Sequence, residues 1–498
     1  MQFASVTFVL FLAVAVAVYF ALPSRRLRTL WLLAASYLFY YTLSAGWTLV
    51  LVAITAIGYA AGRILERTGS APDGDAMPRR TRTVLAMSIA LIVGVLAVFK
   101  YAGFAAALAN SAIAFLGAGE PFGVVQLALP VGISFWTFQS IAYLVDVARG
   151  TLSAERDVFR YALSIAFFPH VTAGPIARSG QILPQLERHA TFSYEGMRSG
   201  LLLMLWGFFK KLLVADPLSV FVASVFAAPR AYADSGLVLA AAAVGFAIQI
   251  YCDFSGYTDI ARGTARLFGV ELARNFDRPY ASRSIKEFWR RWHMTLMSWL
   301  RDYVYIPLGG SRVSKARRYV NILAVFAISG LWHGAGLTFI VWGLLNGLYQ
   351  LAGEWLRPLR DRAAAALRMA PDGRLRGMLA TLTTFVLVTV GWVFFRAESL
   401  SDALYIVGHM FVPTAGFLRD LRAFDIGLSP AEVARTAIAV VAVFGIDWLS
   451  ARKDLPGWLY RRPLVLRWAI YELALLIVLV FGQYGPGLTT ADFVYFKF

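Results

Sequence analysis

Two histidines, His293 in Trp-Arg-Arg-Trp-His and His333 in Gly-Leu-Trp-His-Gly, stand in a chain whose 498 residues include only five. Imidazole titrates near neutral pH and can take or give a proton, which suits a general base or a proton relay. Burying it costs free energy unless it has a partner or a task. A third histidine, His170, lies in Phe167-Phe168-Pro169-His170-Val171-Thr172-Ala173-Gly174-Pro175-Ile176. The two prolines there break helical hydrogen bonding, and irregular backbone at membrane depth tends to line a cavity. His170 equally suits an interfacial cap. Asp253 and Ser255, in Asp253-Phe254-Ser255-Gly256, read as a polar turn and join His170 as candidate cavity-lining residues. No metal site is expected, because His-Glu-x-x-His spacing is missing and Cys252 is the one cysteine. No Gly-x-Ser-x-Gly elbow supplies a serine nucleophile.

The elements that must position these groups are built for lipid. Hydrophobic residues make up 59% of the chain and charged residues 15%, against about 25% charged in soluble proteins. Long apolar runs recur throughout, so the chain reads as an all-α polytopic membrane protein. Several runs are too short to cross alone and suggest re-entrant or buried pieces. Met1–Leu22 reads as a retained first span, since Pro23-Ser24-Arg25-Arg26 follows it in place of a cleavage site. The formal charge of +18 comes with basic clusters in loops, around Arg25–Arg28, Arg63–Arg82 and Arg312–Arg318. These fit the positive-inside rule and anionic lipid headgroups, and no nucleic-acid-binding motif accompanies them. With those loops in the cytoplasm, the N-terminus starts on the outer face. No repeat and no soluble domain is evident, so residues 1–498 read as one membrane domain.

Around His293, the stretch Ser284–Tyr305 has the period of an amphipathic helix. Ile285, Phe288, Trp289, Trp292, Leu296, Trp299, Leu300 and Tyr303 fall on one arc, and Lys286, Glu287, Arg290, Arg291 and Arg301 on the other. His293 sits at the seam. Such a helix lies in the interface or dips in as a re-entrant element, and a plain interfacial anchor is the alternative. His333 ends the apolar segment Tyr319–Trp332 and precedes Gly334-Ala335-Gly336, small residues that let a substrate come close. A structural hydrogen bond between helices is the alternative role for it.

Together these segments resemble a known family. Trp289-Arg290-Arg291-Trp292-His293, followed by Leu300-Arg301-Asp302-Tyr303-Val304-Tyr305-Ile306-Pro307-Leu308-Gly309-Gly310, is similar to the hallmark of the membrane-bound O-acyltransferases (MBOAT). Gly330-Leu331-Trp332-His333-Gly334 resembles that family's active-site histidine motif. The segment around His170 and the Asp253-Phe254-Ser255-Gly256-Tyr257 run are similar to its bacterial polysaccharide branch. The likeness runs from about Pro130 to Tyr349, the region read as the catalytic core (130–349). It extends to Trp392–Ala397 and to the aromatic tail within residues 490–498.

The resemblance implies a multi-helix bundle with re-entrant helices around a central funnel or tunnel, in a bacterial inner (cytoplasmic) membrane. It implies transfer of an acetyl group from acetyl-CoA, with no bound cofactor, to an exported polysaccharide such as alginate. His333 would be the catalytic base and His293 its helper. Trp292 and Trp332 would pack the imidazoles, and Arg290 and Arg291 would meet the phosphates of the donor or, alternatively, lipid headgroups. Tyr495 would accept the acyl group and relay it outward, or else the tail merely anchors at the interface. A periplasmic SGNH-type partner and the polysaccharide export machinery would complete the system. A D-alanyl or lipid acyltransferase of the same family is the alternative, and a transporter with a histidine proton relay a more distant one.

Overall fold

Backbone N–H and C=O groups inside a bilayer must be satisfied within the protein, and helices do this with local bonds. The computed structural model follows that rule. It describes every residue except 70–76, 118–121, 124–126, 189, 413–427, 485–492 and 495–498, and among the described residues there is no strand. Among the described residues, six helical stretches are long and apolar enough to cross a membrane: Arg25–Thr68, Arg79–Phe115, Gly236–Leu267, Arg374–Arg396, Pro430–Ser450 and Leu464–Phe481. The chain is an all-α polytopic membrane protein. It divides into two compact units, residues 1–204 with 258–273, and residues 205–257 with 274–498.

The first unit holds α1 (Val6–Ala21), α2 (Arg25–Ser44), α3 (Thr48–Thr68), α4 (Arg79–Phe115), α5 (Ile133–Ala148), α6 (Val158–Ala166), α7 (Ser179–Arg188) and the start of α8 (Tyr194–Phe209). Serines cap the first two helices: Ser5 accepts from the Phe8 N–H and Ser24 from the Leu27 N–H. The sequence pattern separates Val84–Tyr101 from Gly103–Leu116, yet α4 runs through both. One interior glycine costs a helix only about 1 kcal/mol against alanine, too little to stop an apolar run.

The second unit takes up the end of α8, a π-helical turn at Lys210–Ala215, and α9 (Asp216–Ala227). It continues with α10 (Gly236–Leu267) as far as residue 257, α11 (Ile285–Arg291), α12 (Met294–Leu300) and a second π-helical turn at Arg301–Tyr305. Then come α13 (Lys315–His333), α14 (Leu337–Trp355), α15 (Arg357–Ala366), α16 (Arg374–Arg396), α17 (Leu400–His409), α18 (Pro430–Ser450), α19 (Leu455–Tyr460) and α20 (Leu464–Phe481). Two local expectations are corrected here. Asp253–Gly256 is helix, in the middle of α10, and makes no turn. Its polar side chains are engaged by lysines, so they do not compete for their own backbone. Ser284–Tyr305 is two helices with a break at Trp292–His293, where a single amphipathic helix was expected.

Candidate active site

His333 is the last residue of α13, and glycines set where that helix lies. A methyl group on Gly343 of α14 would run into the Phe326 carbonyl oxygen, and one on Gly330 into the Phe339 carbonyl oxygen. The two backbones therefore meet with no side chain between them, a contact only glycine permits. Three residues beyond Gly330, the His333 side chain is 3% exposed. Its ring stands edge-on to Trp332, Trp342 and Phe395, with centroids 4.8, 5.0 and 5.3 Å away.

His293 reaches the same place by a different device. It is fully buried and has φ 44° and ψ 53°, left-handed backbone that a non-glycine residue adopts at a cost of about 1–2 kcal/mol. Asn275 clasps the break. Its carbonyl oxygen accepts the Met294 N–H at 3.0 Å, and its Oδ1 accepts the Thr295 N–H at 3.2 Å and the Thr295 hydroxyl at 2.6 Å. One position before the break, the Asp277 N–H donates to the Arg291 carbonyl at 3.0 Å. Strain held in this way by surrounding bonds is characteristic of functional sites.

The two imidazoles lie 6.4 Å apart between centroids. That is too far for a direct hydrogen bond between the rings and close enough for both to flank one small group. Trp332 packs edge-on against both, 5.8 Å from His293 and 4.8 Å from His333. Phe254 closes the other side of His293 at 4.7 Å. Behind them lies a layer of aromatics. Trp292 stacks on Phe288 at 5.4 Å and meets Trp392 at 4.8 Å, and Trp392 stacks on Trp342 at 5.7 Å. Trp392 Nε1–H donates to the Tyr280 hydroxyl, which donates to the Ala247 carbonyl. His293 lies between two short helices outside the six spans, and burial holds its pKa below the usual 6.5. A neutral ring can accept a proton, as a base or its helper must.

The remaining sequence candidates fall as follows. Arg290 is exposed, and Arg291 pairs with Glu287 one turn earlier at 2.7 Å. Both leave the packed face of α11 to Phe288 and Trp289. Asp253 and Ser255 are buried and bound by adjacent lysines: Lys211 Nζ is 2.7 Å from Asp253 Oδ1, and Lys210 Nζ donates to Ser255 Oγ at 3.0 Å. His170 belongs to the first unit, where it is fully buried and its Nδ1 accepts from Gln139 Nε2 at 3.0 Å. Tyr495 lies outside the described residues, but its neighbours Phe493 and Val494 are described and buried in the second unit. Among the described residues, no group of three or more His, Cys, Asp or Glu is placed to hold a metal.

Sequence reasoning missed Asn275, Lys210 and Lys211. The two adjacent lysines do carry a signal, since charges inside the apolar run Gly200–Val214 require partners. Asn275 carries none, for its role exists only once the break at His293 is known.

Comparison with known proteins connects this geometry to a chemistry. The profile of the membrane-bound O-acyltransferase family matches residues 155–379, which contain both histidines. The probable alginate O-acetylase AlgI of Azotobacter vinelandii is 37% identical over 454 residues, 91% of this chain and 86% of that protein. This chain belongs to the membrane-bound O-acyltransferase family. The Pseudomonas aeruginosa protein of the same name is 37% identical over 448 residues, 90% of this chain and 82% of its own. A peptidoglycan O-acetyltransferase of Helicobacter pylori is 33% identical over 408 residues, 76% of this chain and 73% of that one. As a member of the family, the chain is an O-acyltransferase.

Proposed function

We propose that this enzyme takes acetyl groups from acetyl-CoA in the cytosol and passes them across a bacterial inner membrane for O-acetylation of an exported polysaccharide such as alginate. The observation that carries this reading is the pair of buried imidazoles 6.4 Å apart, in a chain that aligns over 91% of its length with an alginate O-acetylase. His333 acts as the base. It takes the proton of the acceptor hydroxyl as that oxygen attacks the thioester carbonyl, and returns it to the sulfur as the C–S bond breaks. His293, on the other flank, orients the hydroxyl and steadies the charge that develops. Trp332 against both rings, with Trp292 in the layer behind, limits the water that would hydrolyse the donor. Arg290 and Arg291 meet the phosphates of the donor at the cytosolic mouth.

In this reading residues 130–349 are the catalytic core of one membrane domain, with Asp253 and Ser255 in the wall of the acyl path and His170 lining a cavity within its own unit. The acceptor hydroxyl is the phenol of Tyr495 in the 490–498 tail, and its ester then gives the acetyl group to a hydroxyl of a periplasmic SGNH-type partner working beside the export machinery, the phenol taking up that hydroxyl's proton. His333→Ala tests the core of the proposal. The ester-linked acetyl content of the polymer should fall by about a hundredfold or more, while the variant inserts at the wild-type level. Unchanged acetylation would overturn the assignment. The likeness to a peptidoglycan O-acetyltransferase favours a second polymer, and measuring alkali-released acetate from purified peptidoglycan and from exopolysaccharide separates the two.

A further inference from the structure

Asp253 uses its two oxygens for different purposes. Oδ1 faces Lys211 Nζ at 2.7 Å, and that ammonium also reaches Asp216 Oδ1 at 2.8 Å. Oδ2 accepts the main-chain N–H of Val494 at 2.8 Å, from a residue 241 positions further along the chain. Asp253 is 1% exposed. A buried carboxylate needs partners on both oxygens, and the ammonium serves only one of them. The other is satisfied by the chain's C-terminal segment. The contacts continue toward the histidines. Phe493 stacks on Tyr257 at 4.3 Å and meets Phe254 at 5.7 Å, and Phe254 stands edge-on to His293 at 4.7 Å. The helix that carries Asp253 is held close to α8, since a methyl group on Gly256 would lie 2.8 Å from the Gly207 carbonyl oxygen. The π-helical turn beginning at Lys210 points two successive ammonium groups at Ser255 and Asp253, and such turns recur at functional sites.

We infer that the Lys211–Asp253 pair is a docking site for the chain's own C-terminal segment, a positioning latch that holds Phe493 and Val494 beside the ring on which His293 packs. The significance of that position rests on the acyl-transfer reading above, but the latch itself does not. Because the bond is to a main-chain N–H, any residue except proline can supply the donor at position 494.

Hydrogen exchange of the Val494 amide in the full-length protein in detergent, read by mass spectrometry, tests the latch without requiring turnover. Asp253→Leu removes the acceptor and leaves Lys211 paired with Asp216, and Asp253→Glu keeps both carboxylate oxygens. The wild-type amide should exchange about a hundredfold more slowly than in Asp253→Leu, with Asp253→Glu recovering part of the protection. Val494→Pro leaves the ion pair intact and should lower polymer acetylation about tenfold or more. Equal exchange in wild type and Asp253→Leu would overturn the latch, as would an Asp253→Glu no better protected than Asp253→Leu, and a Val494→Pro with full acetylation and normal insertion would overturn its positioning role. If His333→Ala retained acetylation while the exchange pattern held, the acyl-transfer assignment would fall and the latch would stand.

Discussion

Replacing Asn275 with alanine should disable the site without touching either histidine. The side chain accepts two bonds from Thr295, both buried. Its loss leaves the Thr295 N–H without that acceptor, at about 1–3 kcal/mol. It also removes one hydroxyl bond, worth about 0.5–1.5 kcal/mol. Against this, His293 is held in a left-handed conformation that costs about 1–2 kcal/mol, so the loosened loop gains by letting it relax. Both effects push the same way, shifting the balance by about 2–6 kcal/mol away from the geometry that brings the two rings together. Since about 1.4 kcal/mol is tenfold, acetyl transfer should fall at least tenfold and thermal unfolding in detergent should come several degrees earlier. Thr295→Ala keeps the main-chain N–H bond to Asn275, loses only the hydroxyl bond and should be milder. The double variant should be no worse than Asn275→Ala alone, because the two residues share one interaction. Wild-type unfolding and transfer in Asn275→Ala, or strictly additive losses in the double variant, would refute this account.

Gly343→Ala places a methyl group against the Phe326 carbonyl and should cost about 1–3 kcal/mol through overpacking, with a matching loss of transfer as α13 shifts His333; an unfolding temperature equal to wild type would contradict it. His293 is buried in its neutral form with a lowered pKa, so its contribution to stability is complete above the free value of about 6.5 and is lost as pH falls below it. Each pH unit below that value should cost up to about 1.4 kcal/mol from this group, and His293→Asn, which tolerates left-handed backbone, should show a flatter fall between pH 6.5 and 5. Identical pH profiles for the two proteins would show that this ring is not the group responsible. Tyr495→Phe should abolish an acetyl adduct on the C-terminal peptide after incubation with acetyl-CoA, and undiminished polymer acetylation in that variant would remove the relay.

The class of fold was legible in composition and in the recurrence of apolar runs, because bilayer burial leaves a chemical mark on nearly every residue. The histidines were legible too, for an imidazole among tryptophans and glycines is conspicuous. The local shape between them was not. Nothing in Trp292-His293-Met294 states that the helix breaks there, since the cause is Asn275, about twenty positions earlier and bonded only through the tertiary fold. Asp253-Phe254-Ser255-Gly256 has the composition of a turn but becomes helix because Lys210 and Lys211, more than forty positions away, satisfy its polar groups. Sequence periodicity reports on neighbours within a turn or two, and both departures were decided by partners beyond that range.

The main-chain bond at Val494 has a parallel earlier in the same segment, where the Gln483 N–H donates to the Leu212 carbonyl at 3.2 Å. Both ties are made by main-chain N–H groups, one to a carbonyl and one to a carboxylate, and both acceptors belong to buried residues. At position 494, then, what Asp253 recognises is the main chain, so the side chain there is free to be chosen by its packing alone.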